Sequence, residues 1–152
     1  MKSFVRVLQD MVLLVARIAI GVVLVAHGYW RWQVQGIDTE IAHLTERGVW
    51  EPTLLAWGAT VFELIGGVLL VFGLAVPVIG LVMVVQNVLV IAWLRWRNGV
   101  FQVDGGWEYN LVLAAVGLLF FGFGSGRAGL DALFRRRGPD AEYRTIDDNA
   151  PA

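Results

Sequence analysis

Residues 54–96 read LLAWGATVFELIGGVLLVFGLAVPVIGLVMVVQNVLVIAWLRW, and only Glu63 and Arg95 carry charge in that whole stretch. A helix needs roughly 20 mostly apolar residues to cross a ~30 Å hydrocarbon core. The stretch is long enough for two such helices with a tight turn between them. Pro77 marks where the second begins, because the first turn of a helix has no use for the N–H that proline lacks. The pattern predicts spans over 54–74 and 77–96, with Gln86 and Asn87 inside the second.

Two more stretches share this character. One runs over about 11–32 and is interrupted by Arg17 and His27; the other, over about 107–124, carries Glu108 and Asn110 near its start. Composition agrees. Hydrophobic residues make up 57% of the chain and charged ones only 16%, where soluble domains carry about a quarter charged. A chain of 152 residues has too much surface to hide that surplus in a core, so the surplus faces lipid. The expected fold class is all-α, a four-transmembrane-helix bundle forming one domain over 1–134. A basic, then polar, tail at 135–152 reads as disordered.

Charge orients the bundle. Four spans place both termini on one side, which holds Lys2, Arg6, Arg127, Arg135, Arg136, Arg137 and Arg144. The opposite loops hold Arg31, Arg47, Arg95 and Arg97, balanced by acids such as Asp38, Glu40, Glu46 and Glu51. The excess of Lys and Arg puts both termini in the cytoplasm. All seven tryptophans fall at the other end: Trp30, Trp32, Trp50, Trp57, Trp93, Trp96 and Trp107. They form an interfacial belt, or an aromatic-lined mouth on the outer side. The apolar run from Met11 to Ala26 leads into His-Gly-Tyr-Trp-Arg-Trp, not a small-residue cleavage site, so the first helix is expected to stay.

Several functions are disfavoured. The absence of cysteine excludes disulfides and thiol chemistry by this chain. No basic tract is interleaved with aromatics, so nucleic acid is not an expected ligand, and no cluster of ligands predicts a metal site. A haem fits poorly, because His27 is the only intramembrane histidine and His43 lies in a loop. A transporter with inverted repeats finds no internal repeat here.

An ionisable side chain inside a bilayer marks a site by default. Glu63 and Asn87 lie at equal distance from the turn near Ala75, so an antiparallel pair brings them level, close to the midplane. Arg17 lies about 9 Å deep on the terminal side by a 1.5 Å rise per residue, and its length could reach toward Glu63. His27 falls on the outer half. One reading is an Arg17–Glu63 ion pair that sets helix register, although such pairs are weak evidence for stability. The other is a polar pocket lined by Arg17, His27 and Glu63 for a lipophilic ligand with hydrogen-bonding oxygens, such as a quinone. Glu63 and His27 would then be the catalytic candidates, passing protons. Small or polar seams run along each span: Arg17, Gly21 and Gly28 on the first, Ala56, Ala59, Glu63, Gly66 and Gly67 on the second, Gly80 and Asn87 on the third, and Asn110, Ala114, Gly117 and Phe121 on the fourth.

These motifs resemble a known family. Arg17-Ile-Ala-Ile-Gly21 with Ala26-His27-Gly28, then Glu63-Leu-Ile-Gly66-Gly67, then Gly105-Gly106-Trp107-Glu108-Tyr109, then Gly124-Ser125-Gly126-Arg127-Ala128-Gly129-Leu130-Asp131 are similar in order and placement to motifs of the DoxX family. Ser125 stands where that pattern has proline, and Gly129 where it has serine. The resemblance covers roughly residues 11–134. It implies a four-helix bacterial inner-membrane protein, with some members tied to quinone-linked oxidoreductases and redox assemblies. It also implies Glu108 and Tyr109 as ligand-binding positions beside Arg17, His27, Glu63 and Asn87. Two functions follow as expectations. The first is a membrane subunit of a redox assembly with an intramembrane quinone site and redox-protein partners. The second is a non-catalytic anchor or scaffold for partner proteins. A homo-oligomer is open in either case.

Overall fold

The computed structural model describes residues 2–126 and 129–131; the tail and the Arg127 side chain lie outside the described residues. The described chain is helical throughout its ordered elements. Helix α1 (Lys2–Tyr29) continues through a wide π-helical turn (Trp30–Gly36) into α2 (Ile37–Glu46). The second crossing is α3 (Pro52–Val61), a π turn (Phe62–Gly66) and α4 (Gly67–Phe72). The third is α5 (Val76–Val90), extended by a π turn (Ile91–Arg95) and one 3₁₀ turn (Trp96–Asn98). After a second 3₁₀ turn (Gln102–Asp104), α6 (Glu108–Phe123) closes the fold. Three helices, Val7–Glu46, Pro52–Phe72 and Val76–Asn98, are long and apolar enough to cross a membrane, and Glu108–Phe123 is a shorter apolar helix.

The surface is inverted relative to that of a soluble protein. Val12, Val15, Ile18 and Val22 on α1 stand exposed, as do Ile65, Val68 and Phe72 on the second crossing and Leu118 and Leu119 on α6. Arg17, Thr60, Glu63, Asn87 and Asn110 are buried instead. That arrangement is stable only in an apolar solvent, where helices satisfy their own backbone groups. The chain is a multi-pass membrane protein.

The helices form two tight antiparallel pairs, α1 with α3–α4 and α5 with α6. Glycine sets both. A β-carbon at Gly21 would lie 2.7 Å from the Gly67 carbonyl oxygen, and one at Gly80 would lie 2.6 Å from that of Gly117. Small residues let membrane helices come this close, and van der Waals contact then holds them. The pairs meet over an apolar core of Leu24, Leu70, Val76, Ile79, Met83, Leu113 and Phe120. On α6 the buried seam ends at Phe120, while Phe121, close to the end of the helix at Phe123, is exposed.

The turn between the second and third crossings is capped twice. Gly73 takes the left-handed conformation (φ 72°), and the N–H groups of Gly73 and Leu74 donate to the carbonyls of Leu70 and Leu69, a Schellman closure. Asp131 then accepts from the N–H groups of Ala75 (2.8 Å) and Val76 (3.1 Å), capping α5 from the far end of the chain. Overpacking a seam costs roughly 1–3 kcal/mol. Gly80→Val is therefore expected to lower the thermal midpoint in detergent, whereas Gly58→Ala, with open space around it, leaves the midpoint unchanged or raised.

A polar cluster at mid-helix depth

The middle of the second crossing is where the polar side chains gather. Glu63 lies within the π turn Phe62–Gly66, and its side chain is only 7% exposed. Gln86 of α5 donates to Glu63 Oε1 at 3.0 Å. Arg31, inside the π turn that follows α1, brings Nη1 to 3.0 Å from Glu63 Oε2. This is a charge contact, off the axis of an aligned hydrogen bond. Glu40 of α2 stands 3.8 Å from Arg31 Nε, and Gln35 donates to Glu40 at 3.4 Å. A chain of charge thus descends from α2 to the middle of the bundle.

Beside it runs a second thread. Asn110 of α6 donates to Asn87 Oδ1 at 2.9 Å, and Asn87 donates back to the Met83 carbonyl at 2.8 Å. Seven residues away along each helix, Gly80 meets Gly117, so the amide pair and the glycine contact share one register. His27 stacks on Tyr109, ring centroids 5.6 Å apart and planes 20° from parallel, and Glu63 acts electrostatically on both. The His27 Nδ1 donates to the Val23 carbonyl at 2.9 Å, which leaves Nε2 as an acceptor on the neutral ring.

Apart from Arg31 Nη1 and Glu63 Oε2, which face each other as that charge contact, two buried polar atoms of this cluster have no hydrogen-bond partner among the described residues: the Tyr109 hydroxyl and Asn110 Oδ1. Buried polar atoms are nearly always satisfied, and an exception signals a water, an ion or a ligand. The π turns point the same way. Such widenings are rare and recur at functional sites; here one carries Arg31, one carries Glu63, and one follows Gln86 and Asn87 by a turn.

The sequence-predicted residues divide. His27, Glu63, Asn87 and Tyr109 come together. Arg17 does not. It is wholly buried at the opposite end of the pair, against Gly73 and Gly129, where a β-carbon on either glycine would collide with its Nη1. Among the described residues its guanidinium has no hydrogen-bond partner, and Asp131 is the charge acting on it. The expected Arg17–Glu63 pairing is replaced by Arg31–Glu63, because Gly28 packs level with Glu63 and Leu64 and leaves Arg17 about three turns below. Glu108 also lies apart: its Oε1 accepts from the Gln102 N–H at 2.8 Å in the loop that precedes α6. Sequence reasoning missed Arg31, Gln86 and Asn110 as site residues. The four-residue spacing of His27 and Arg31, which puts both on one helix face, was the available signal. Among the described residues there is no group of metal-ligating side chains.

A model of the DoxX family matches residues 12–96, more than half of the chain. This chain belongs to the DoxX family. The DoxX match takes in Arg17, His27, Arg31, Glu63, Gln86 and Asn87, and stops short of α6. A protein of Bacillus subtilis (strain 168) named "Putative oxidoreductase CatD" is 28% identical over 109 residues, which cover 72% of this chain and 78% of that protein. No solved structure matches this DoxX protein.

Removing one member of a buried ion pair strands the other and costs about 3 kcal/mol. Glu63→Gln is thus expected to lower unfolding stability by that amount, and adding Arg31→Met recovers most of it in the same denaturation assay. At the other end, Asp131→Ala removes the α5 cap and the charge facing Arg17, with an expected loss of about 2 kcal/mol.

Proposed function

We propose that this protein is a membrane subunit of a redox assembly whose polar cluster binds a membrane-dissolved ligand with hydrogen-bonding oxygens, of the quinone class. The observation that carries the reading is the pair of buried, unpartnered polar atoms, the Tyr109 hydroxyl and Asn110 Oδ1, in the first turn of α6 and level with Asn87 in the middle of the third crossing. One can donate and the other accept, which matches a ring bearing carbonyl or hydroxyl groups. The oxidoreductase name of the Bacillus relative supports the redox setting.

In this reading Tyr109 and Asn110 hold the ligand's oxygens, and His27 flanks the ring through its stack on Tyr109. Glu63 is the proton-handling group. Its carboxylate can take a proton from a ligand hydroxyl, and the Arg31 guanidinium at 3.0 Å and the Gln86 amide hold it in place. A bound quinone would supply the two-electron chemistry, exchanged with a partner protein. The basic residues around both chain ends favour a bacterial plasma membrane with those ends in the cytoplasm.

Binding is the test. Purified protein in lipid nanodiscs is expected to bind a long-tailed quinone saturably. Tyr109→Phe should weaken that affinity about tenfold, the equivalent of one hydrogen bond of ~1.4 kcal/mol, while leaving the thermal midpoint near the parent's. Absence of saturable binding, or an unaltered affinity in Tyr109→Phe, removes the ligand site and leaves a non-catalytic scaffold.

A further inference from the structure

His27 is the most outward-facing side chain of the cluster. It is exposed, although Gly28 beside it is buried against Glu63, with a β-carbon there only 3.1 Å from Glu63 Cβ. Glu63 stands near the middle of the crossing Pro52–Phe72, so the imidazole is at midplane depth, where a polar side chain turned toward acyl chains is costly. The other flank of α1 shows what an ordinary lipid-facing surface looks like here. There Val22, Val25, Ala26 and Tyr29 line a wholly apolar groove along α4 with Leu64 and Val68. His27 lies on the flank toward α6, as its stack on Tyr109 shows.

That flank is the looser seam. Each helix pair is zipped by glycine, whereas α1 and α6 pack less closely on one another than on their own partners. The Tyr109 ring is half-buried while its hydroxyl is fully enclosed and unpartnered. One edge of the ring therefore reaches the surface and the other reaches the cluster.

We propose that the polar cluster opens sideways into the bilayer between α1 and α6, with the stacked rings of His27 and Tyr109 as its threshold. The inference rests on the ligand-site reading for its occupant, a long-tailed lipophile carrying a hydroxyl-bearing ring. The head enters against the stack and its tail stays among the acyl chains. His27 Nε2, an acceptor on the neutral ring, receives a ligand hydroxyl at the threshold, and the Tyr109 hydroxyl and Asn110 Oδ1 receive the head inside.

Fluorine NMR of the full chain labelled with 3-fluorotyrosine, in nanodiscs, reads this without disturbing the site. The Tyr109 resonance is assigned by its loss in Tyr109→Phe, and Tyr29, on the opposite flank of α1, serves as the internal control. The expected result is broadening of the Tyr109 signal by lipids with nitroxides on their acyl chains and none by an aqueous gadolinium chelate. Adding a long-tailed hydroquinone should shift that signal and relieve the broadening, with Tyr29 unchanged. Broadening by the gadolinium chelate, or by neither agent, overturns the proposal. Broadening by lipid nitroxides with no shift from any quinone or hydroquinone upholds the sideways opening and defeats the quinone reading instead.

Discussion

A carboxylate in the middle of an apolar helix governs this structure. Glu63 cannot be left facing hydrocarbon, because an isolated charge there costs several kcal/mol. It is answered by Arg31 from the first crossing and Gln86 from the third, and those two contacts fix how three helices are rotated about their axes. The fourth is fixed through Asn110 and Asn87. The glycine contacts follow the same registers, so close packing and polar pairing select one arrangement together. An antiparallel pair slid by one turn would lose both.

The two ends of the bundle are then built for different work. At the turn between the second and third crossings, Asp131 caps α5 and Arg17 is sealed beneath Gly73 and Gly129. The Asp131 carboxylate, with the N–H groups of Leu130 and Asp131 donating to the Phe72 and Gly73 carbonyls, pins this segment to the turn. At the other end, three π turns widen the helices around the charged thread, α2 covers it, and Arg47 donates to the Leu94 carbonyl at 2.7 Å to tie the loop after α2 to the third crossing. Unpartnered polar atoms of the central cluster belong to this second, wider region. The first end is closely packed around Arg17, whereas the second is widened by the π turns, and the proposed ligand site lies beside that wider region.

Much of this was legible in the sequence. Long runs of apolar residues gave the helices, and Pro77 gave the turn near Ala75. Counting outward from that turn put Glu63 level with Asn87, and the structure joins Glu63 to the neighbouring Gln86. Three things were hidden. Arg31 looked like a loop residue, since the hydropathy falls at Trp32, yet the helix runs on as a π turn to Gly36, whose φ of 87° permits the bend into α2. Arg17 looked within reach of Glu63, since depth counted along a single helix says nothing of how that helix slides against its neighbour. Glu108 shares a motif with Tyr109, but adjacent positions on a helix point about 100° apart, and only Tyr109 turns inward.

The central claim is that the cluster of Glu63, Arg31, Tyr109 and Asn110 is a ligand site within the membrane. A side-chain-resolution structure of the protein, extracted from its own membrane directly into nanodiscs, tests it most directly. Density other than protein is expected within hydrogen-bonding distance of both the Tyr109 hydroxyl and Asn110 Oδ1. A Tyr109 hydroxyl turned onto a protein acceptor, with side chains closing the space between it and Asn110, would contradict it.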